Sequence, residues 1–261
     1  MDPNRYFLCV NAGNQDRDFE WIRDHNSLDA EVEFQSHLWA QLAIQGPRGL
    51  ETLQKLTGMD LSAIRYYWFA RGEVGGAPAI IARTGYTGED GFELVVRAEE
   101  AERIWENVLL AGREEGFAAA GLGARDTLRM EASMPLYGHE LDETIDPLSA
   151  GLSFACDLQG RSFIGDEALR EIASRGPTHL RVGLKPEGKR PAREGCEVLS
   201  RDGAKVGVVT SGGPSPTLGH PIAMARVEAA YANEDSFQID IRGKTVPASR
   251  TKMPFYQRSK T

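Results

Sequence analysis

The sequence predicts an α+β fold, with antiparallel sheets in its first part and a small β-barrel at its C-terminal end. Three observations carry this reading. Apolar runs at 79–82 and 92–96 flank a glycine-rich turn, as the two strands of a hairpin do. Residues 98–115 have the apolar spacing of one amphipathic helix. Beyond residue 170, short strands recur between turn residues without a long helix, the pattern of a small barrel or sandwich.

Taken in order, Tyr6 to Ala12 reads as a buried first strand with nothing before it to pair with, so an upstream segment or a partner is expected to supply its neighbour. Asn11-Ala12-Gly13-Asn14 is the following turn, and 16–25 a short helix carrying Phe19, Trp21 and Ile22. Asn11 can donate and accept at once, which suits a ligand contact and equally a helix cap. Val32 and Phe34 alternate with acidic residues as in an exposed strand. Leu38, Ala40, Leu42 and Ile44 form a further strand ending at Gln45-Gly46-Pro47. Residues 49–57 are helical, with Leu50, Leu53 and Leu56 at three-residue spacing. The aromatic run 66–70 is expected as a core strand. In the 98–115 helix, Ile104, Trp105, Val108 and Leu109 face inward, and Gly116-Phe117 closes it.

Leu122, Leu128 and Met130 predict that 120–131 is largely buried. Asp126 with Arg129 could form a bland local surface pair, but in a largely buried segment an arginine would need a carboxylate or an anionic ligand group as partner. Tyr137-Gly138-His139-Glu140 is a turn; one histidine with one glutamate does not make a metal site. Residues 148–155 extend the apolar core, and 166–173 form a short helix. The Gly-, Pro- and charge-rich stretch 175–192 places a boundary near residue 170, dividing a domain 1–170 from a barrel domain 171–261. Barrel strands are expected at 180–184, 196–199, 205–210, 222–226, 236–241 and 244–246. At the end of the chain Pro254 excludes a helix, and Tyr256 and Arg258 could fold back over a cavity.

Composition narrows the partners. A net charge of −8 and a pI near 5.3 disfavour a nucleic-acid surface. Three widely spaced cysteines form neither a disulfide framework nor metal-ligand spacing. No apolar run has the length of a membrane span, and no signal peptide heads the sequence.

The central turn, 83–94, concentrates the chemistry. Gly85, Gly88 and Gly91 recur at every third position, with Tyr86, Thr87, Glu89 and Asp90 between them. A solvated acidic hairpin would look the same. A phosphate cradle is disfavoured, because two carboxylates repel an anion and no Lys-Ser/Thr pair follows. A carboxylate on such a rim suits a ligand that offers N–H donors, such as an amino-pyrimidine ring or an amine.

Several collinear motifs resemble the aminomethyltransferase (T-protein) family of the glycine cleavage system and its tetrahydrofolate-binding relatives. They are Gly85-Tyr86-Thr87-Gly88-Glu89-Asp90-Gly91, Gly123-Ala124-Arg125-Asp126-Thr127-Leu128-Arg129, Tyr137-Gly138-His139-Glu140, Phe163-Ile164-Gly165, Val209-Thr210-Ser211-Gly212-Gly213 and Lys252-Met253-Pro254-Phe255-Tyr256. The resemblance implies a folate-binding, T-protein-like multi-domain fold. It implies that Glu89 holds the pterin's amino-pyrimidine edge, that Tyr86 borders the ring, and that Asn11 and Tyr137 line the same cavity. Arg125 would receive an anionic or carbonyl group of the folate, and Tyr256 or Arg258 would close the site.

The reaction implied uses tetrahydrofolate as substrate, without metal or flavin. Folate attacks an aminomethyl group on the lipoyl arm of the H-protein, giving ammonia, dihydrolipoyl protein and 5,10-methylenetetrahydrofolate. The family's catalytic aspartate belongs to a segment expected upstream of Met1, so the chain reads as N-terminally shortened and the catalytic residue is left unknown. The compartment implied is the cytoplasm of a bacterium or the mitochondrial matrix of a eukaryote. Two alternatives belong to the same superfamily. An iron–sulfur assembly scaffold would carry a cysteine motif where this sequence has Gly160-Arg161-Ser162-Phe163. A folate-dependent demethylase differs only in its one-carbon donor.

Overall fold

The structure, a computed structural model, describes residues 4–258. Contacts divide the chain into two compact units: Met1–Thr84 with Gly91–Ala118, and Gly85–Asp90 with Ala119–Thr261.

The first unit is a four-stranded antiparallel sheet with helices. Its strands are β1 (Trp39–Gln45), β2 (Phe69–Val74), β3 (Ala77–Ala82) and β4 (Gly91–Arg97), in the order β1-β4-β3-β2. β4 is central because it pairs along its length with β1, from Trp39↔Arg97 to Gln45↔Gly91, and with β3 on its other side. Phe92, Leu94 and Val96, which share one face of the strand, are fully buried. Helices α2 (Gly49–Gln54) and α3 (Ala101–Ala111) complete the core through Leu53, Ile104 and Val108. Gly91 marks where β1 approaches most closely: a Cβ there would lie 2.6 Å from the Ile44 carbonyl oxygen.

Several local expectations are corrected here. Tyr6 to Val10 form no strand and are exposed, Tyr6 by 84%, because no described residues pair with that backbone. Residues 32–34 likewise have no ladder partner; Phe34 instead packs on Phe19 of α1 (Gln15–Asp24), with ring centroids 5.2 Å apart. Tyr66, Tyr67 and Trp68 are exposed turn residues rather than a core strand, and β2 starts at Phe69. α3 stops at Ala111, where Gly112 caps it; its buried residues are Ile104 and Val108, and Trp105 lies 43% exposed.

The second unit contains α4 (Leu122–Glu131), α5 (Asp166–Arg175) and a closed six-stranded barrel. The barrel strands are β5 (His179–Pro186), β6 (Glu197–Leu199), β7 (Lys205–Ser215), β8 (His220–Glu228), β9 (Ser236–Asp240) and β10 (Thr245–Thr251), closed in the order β10-β5-β8-β7-β6-β9. Closure removes the edge strands that would otherwise template pairing. Alternate residues fill its interior: Val182 and Leu184, Val198, Ala223, Ala225 and Val227, Phe237 and Ile239. A second cluster on the outside joins Met130 of α4 to Ile222 and Met224 of β8, with Met253 and Phe255 against it. Residues 148–155 contribute less to the core than expected, since Phe154 is 87% exposed. Among the described residues no helix is long and apolar enough to cross a membrane, and no three His, Cys, Asp or Glu side chains gather to hold a metal.

Candidate functional site

The acidic turn Gly85–Asp90 belongs to the second unit, where α4, the turn after it and the C-terminal segment surround it. Gly88 sits at φ +78, and a Cβ on it would lie 2.8 Å from the Ala132 Cβ just beyond α4. Both the left-handed backbone and the close packing therefore require glycine there. With Gly88 seated, the next two side chains meet the end of the chain. The Tyr256 hydroxyl donates to Glu89 Oε1, and Arg258 lies 3.4 Å from Asp90 Oδ1. The bond to Glu89 raises the Tyr256 pKa, because it favours the neutral phenol.

The C-terminal segment is itself held by backbone. The Tyr256 amide donates to the Glu131 carbonyl at 2.8 Å, and the Phe255 amide to Ser133 Oγ at 3.3 Å. Met253-Pro254 is a cis peptide that carries the chain from β10 into this position.

On the other side of the turn, the Tyr86 hydroxyl donates to the Pro135 carbonyl. The Arg125 guanidinium carbon stands 4.8 Å from the Tyr86 ring centroid, a cation–π distance. Burial raises the Tyr86 pKa, against the opposing charges of Arg129 and Arg125.

Beneath this surface lies a network of buried charges centred on Arg129. Arg125 is exposed, because the first turn of α4 faces outward and Leu122 is 82% exposed. The buried arginine is Arg129, one helical turn on, with 2% exposure. Its guanidinium bonds Asp126 Oδ1 at 2.7 Å and Glu140 Oε2 at 2.8 Å, and donates to Ser211 Oγ at 2.8 Å. Glu140, equally buried, also accepts from the Leu136 amide at 3.0 Å and the Thr210 hydroxyl at 2.6 Å. The local Asp126–Arg129 pair does form, with an exposed carboxylate on a buried arginine, as the outer edge of this network. Glu131 is a second buried carboxylate, satisfied by Ser215, Thr217 Oγ1 (2.7 Å) and the Thr217 amide (3.1 Å). Arg181 of β5 donates to the Ser133 carbonyl at 2.8 Å; burial lowers its pKa, and its Nε has no hydrogen-bond partner among the described residues.

The site therefore gathers Tyr86, Glu89, Arg125, Tyr256 and Arg258 around one turn. Tyr137 lies in the same unit, in the turn bridged at Leu141. Asn11 lies in the first unit, at the N-cap position of the short 3-10 helix Ala12–Asn14, with no side-chain capping bond. Arg129, Glu131, Glu140 and Arg181 were missed as site-supporting residues. The available signal was Arg129 next to Met130 in a helix, one turn from Arg125; the spacing to Glu140 and Ser211 follows no local period.

A carboxylate on a glycine turn, backed by aromatic and guanidinium groups and carried by a barrel-bearing unit, makes a candidate site for a ligand with N–H donors and an anionic or carbonyl group. Comparison with known proteins makes this specific. A family model described as the GCVT N-terminal domain matches residues 1–160, and one described as the glycine cleavage T-protein C-terminal barrel domain matches residues 180–257. An aminomethyltransferase from Exiguobacterium sibiricum is 44% identical over 260 residues, covering 100% of this chain and 71% of that protein. The one from Moorella thermoacetica is 48% identical over 257 residues, covering 98% and 70%. In three dimensions, glycine cleavage system aminomethyltransferase T from Bartonella henselae matches with a TM-score of 0.85 at 31% identity, over 95% of this chain and 67% of that one. The chain belongs to the glycine cleavage T-protein family of aminomethyltransferases.

Proposed function

We propose that the Gly85–Asp90 turn and the residues around it bind tetrahydrofolate and that the chain serves aminomethyl transfer from the lipoyl arm of an H-protein. The observation that carries the reading is the Glu89 carboxylate. One oxygen is engaged by Tyr256, which orients the group; the other can accept from a ligand's N–H edge. The Tyr86 ring offers an apolar border, and Arg125 above it supplies a cation for a carbonyl or carboxylate of the same ligand. Tyr137 and Asn11 remain assigned to the same ligand, and Arg258 to closing the site beside Asp90. In this reading the folate-binding part runs over 1–170 and the barrel domain over 171–261.

The chemistry demands little beyond placement. The folate's nucleophilic nitrogen must lie in line with the aminomethyl carbon, and the departing ammonia must be stabilised. Every group assigned here is a binding group; no carboxylate of this chain is assigned the family's catalytic aspartate role. The compartment that goes with the reading is a bacterial cytoplasm or a mitochondrial matrix.

Calorimetric titration of the folded chain with tetrahydrofolate tests the proposal. Micromolar binding is expected. Glu89→Ala should weaken it by about 1.5–3 kcal/mol, the range for a hydrogen bond to a charged group. Unchanged affinity in that variant would remove Glu89 from the site. Turnover with aminomethylated H-protein then distinguishes this reaction from a demethylase, which would accept a methyl donor instead.

A further inference from the structure

We propose that an open cleft at one end of the barrel is a second binding site, for a small anion carrying two or more carboxylates. The cleft lies wholly within the second unit, has a volume of about 620 Å³, and is lined by Arg190, Arg193 and Arg242 with Glu194, Glu197 and Asp240. Within the lining these charges cancel; Lys205, which pairs with Glu197 at 2.7 Å, adds one positive charge beside it, and Asp240 Oδ1 accepts the Gly243 amide at 2.6 Å. None of the three arginines has an ion pair among the described residues: Arg193 makes only a 3.4 Å bond to the Gly212 carbonyl, and Arg190 and Arg242 make no side-chain bond. Three unpaired guanidinium groups on the residues that line one concave space suit planar carboxylates, which they bind as forks.

The backbone supplies an independent observation. Arg242 and Gly243 are the two central residues of the β9–β10 hairpin, with φ +57 and +75. That turn favours Asn, Asp or Gly at its first central position. An arginine there is strained, and such departures from a local rule collect at functional sites.

The ligand chemistry has two sources, a free polycarboxylate or the oligo-γ-glutamyl tail of a folate; the cleft itself does not depend on the folate reading. The test is calorimetric titration of the full chain with citrate and with tri-γ-glutamate, in wild type and in Arg242→Gly. Saturable binding is expected, weakened several-fold between about 50 and 300 mM salt because the cleft is open to solvent. Arg242→Gly should bind about tenfold less tightly while its thermal midpoint holds or rises, since glycine relieves the left-handed strain. A surface arginine with only a structural role would move neither quantity in that combination. A gain for triglutamyl over monoglutamyl tetrahydrofolate that Arg242→Gly abolishes identifies the tail as the source; citrate and tri-γ-glutamate binding without that gain identifies a free polycarboxylate. Absence of saturable binding by both probes, or equal affinity in wild type and Arg242→Gly, overturns the proposal.

Discussion

Tyr256 illustrates how one side chain can be assigned by its partner rather than by its position. The sequence expectation put it over a cavity as a ligand contact, and its hydroxyl is bonded to Glu89. The bond raises its pKa, so the sign of the pH effect follows. The contribution is complete below the unfolded tyrosine value of about 10 and is lost as pH rises through the higher folded value. Absorbance titration of the tyrosines should therefore show a late component that moves to lower pH in Glu89→Gln, because the neutral amide no longer favours the phenol over the phenolate. A late component that stays in place in that variant would place its cause elsewhere. The same residue scale explains Gly88, where no side chain fits against Ala132.

At the scale of elements, α4 shows what was legible in the sequence and what was not. Its helical motif from Gly123 to Arg129 was visible, but which arginine is buried was not, because burial depends on which turn of the helix packs against the barrel. The partners of Arg129 come from the turn after α4 and from β7, which no local spacing predicts. Strands held by sequence-adjacent turns, β3 and β4 among them, were legible; Tyr6–Val10 was not, because alternation gives no information on a pairing partner. β10 runs well beyond the expected 244–246: the strand continues through Pro247, whose carbonyl accepts from the Glu187 amide at 2.8 Å. The buried network also yields an asymmetric expectation. Glu140→Ala removes the one fully buried carboxylate that pairs with Arg129 and should cost about 3–5 kcal/mol of unfolding free energy. Asp126 bonds the same guanidinium but is 57% exposed, so Asp126→Ala should cost about 0–1 kcal/mol. Urea denaturation of both variants measures the contrast, and equal losses would contradict the division between a buried and a solvent-screened partner.

For the whole molecule, acid stability follows from turn chemistry repeated in both units. Asp60 accepts the Ser62 amide at 2.9 Å, Asp142 the Thr144 amide at 2.6 Å, Asp146 the Leu148 amide at 3.0 Å, and Asp157 the Gln159 amide at 3.2 Å. Each is an Asx turn, a side chain standing in for a backbone acceptor two residues back. The hydroxyls of Ser62 and Thr144 lower the pKa of Asp60 and Asp142 most, and the Gly160 amide that of Asp157. At Asp146 burial pushes the pKa up, but the Ser149 hydroxyl and amide together with the Leu148 amide outweigh it. All four carboxyls therefore fall below their unfolded values of about 3.9, so their contribution is present above that pH and is lost as pH falls through the folded values. Urea midpoints should hold from neutrality down to about pH 5 on this account and drop steeply below pH 4. Replacing the four by Asn preserves the turn acceptor but removes the charge, so the variant should lose stability at neutral pH and show a shallower acid limb. An acid limb of unchanged slope would mean that these four turn aspartates do not govern the acid transition.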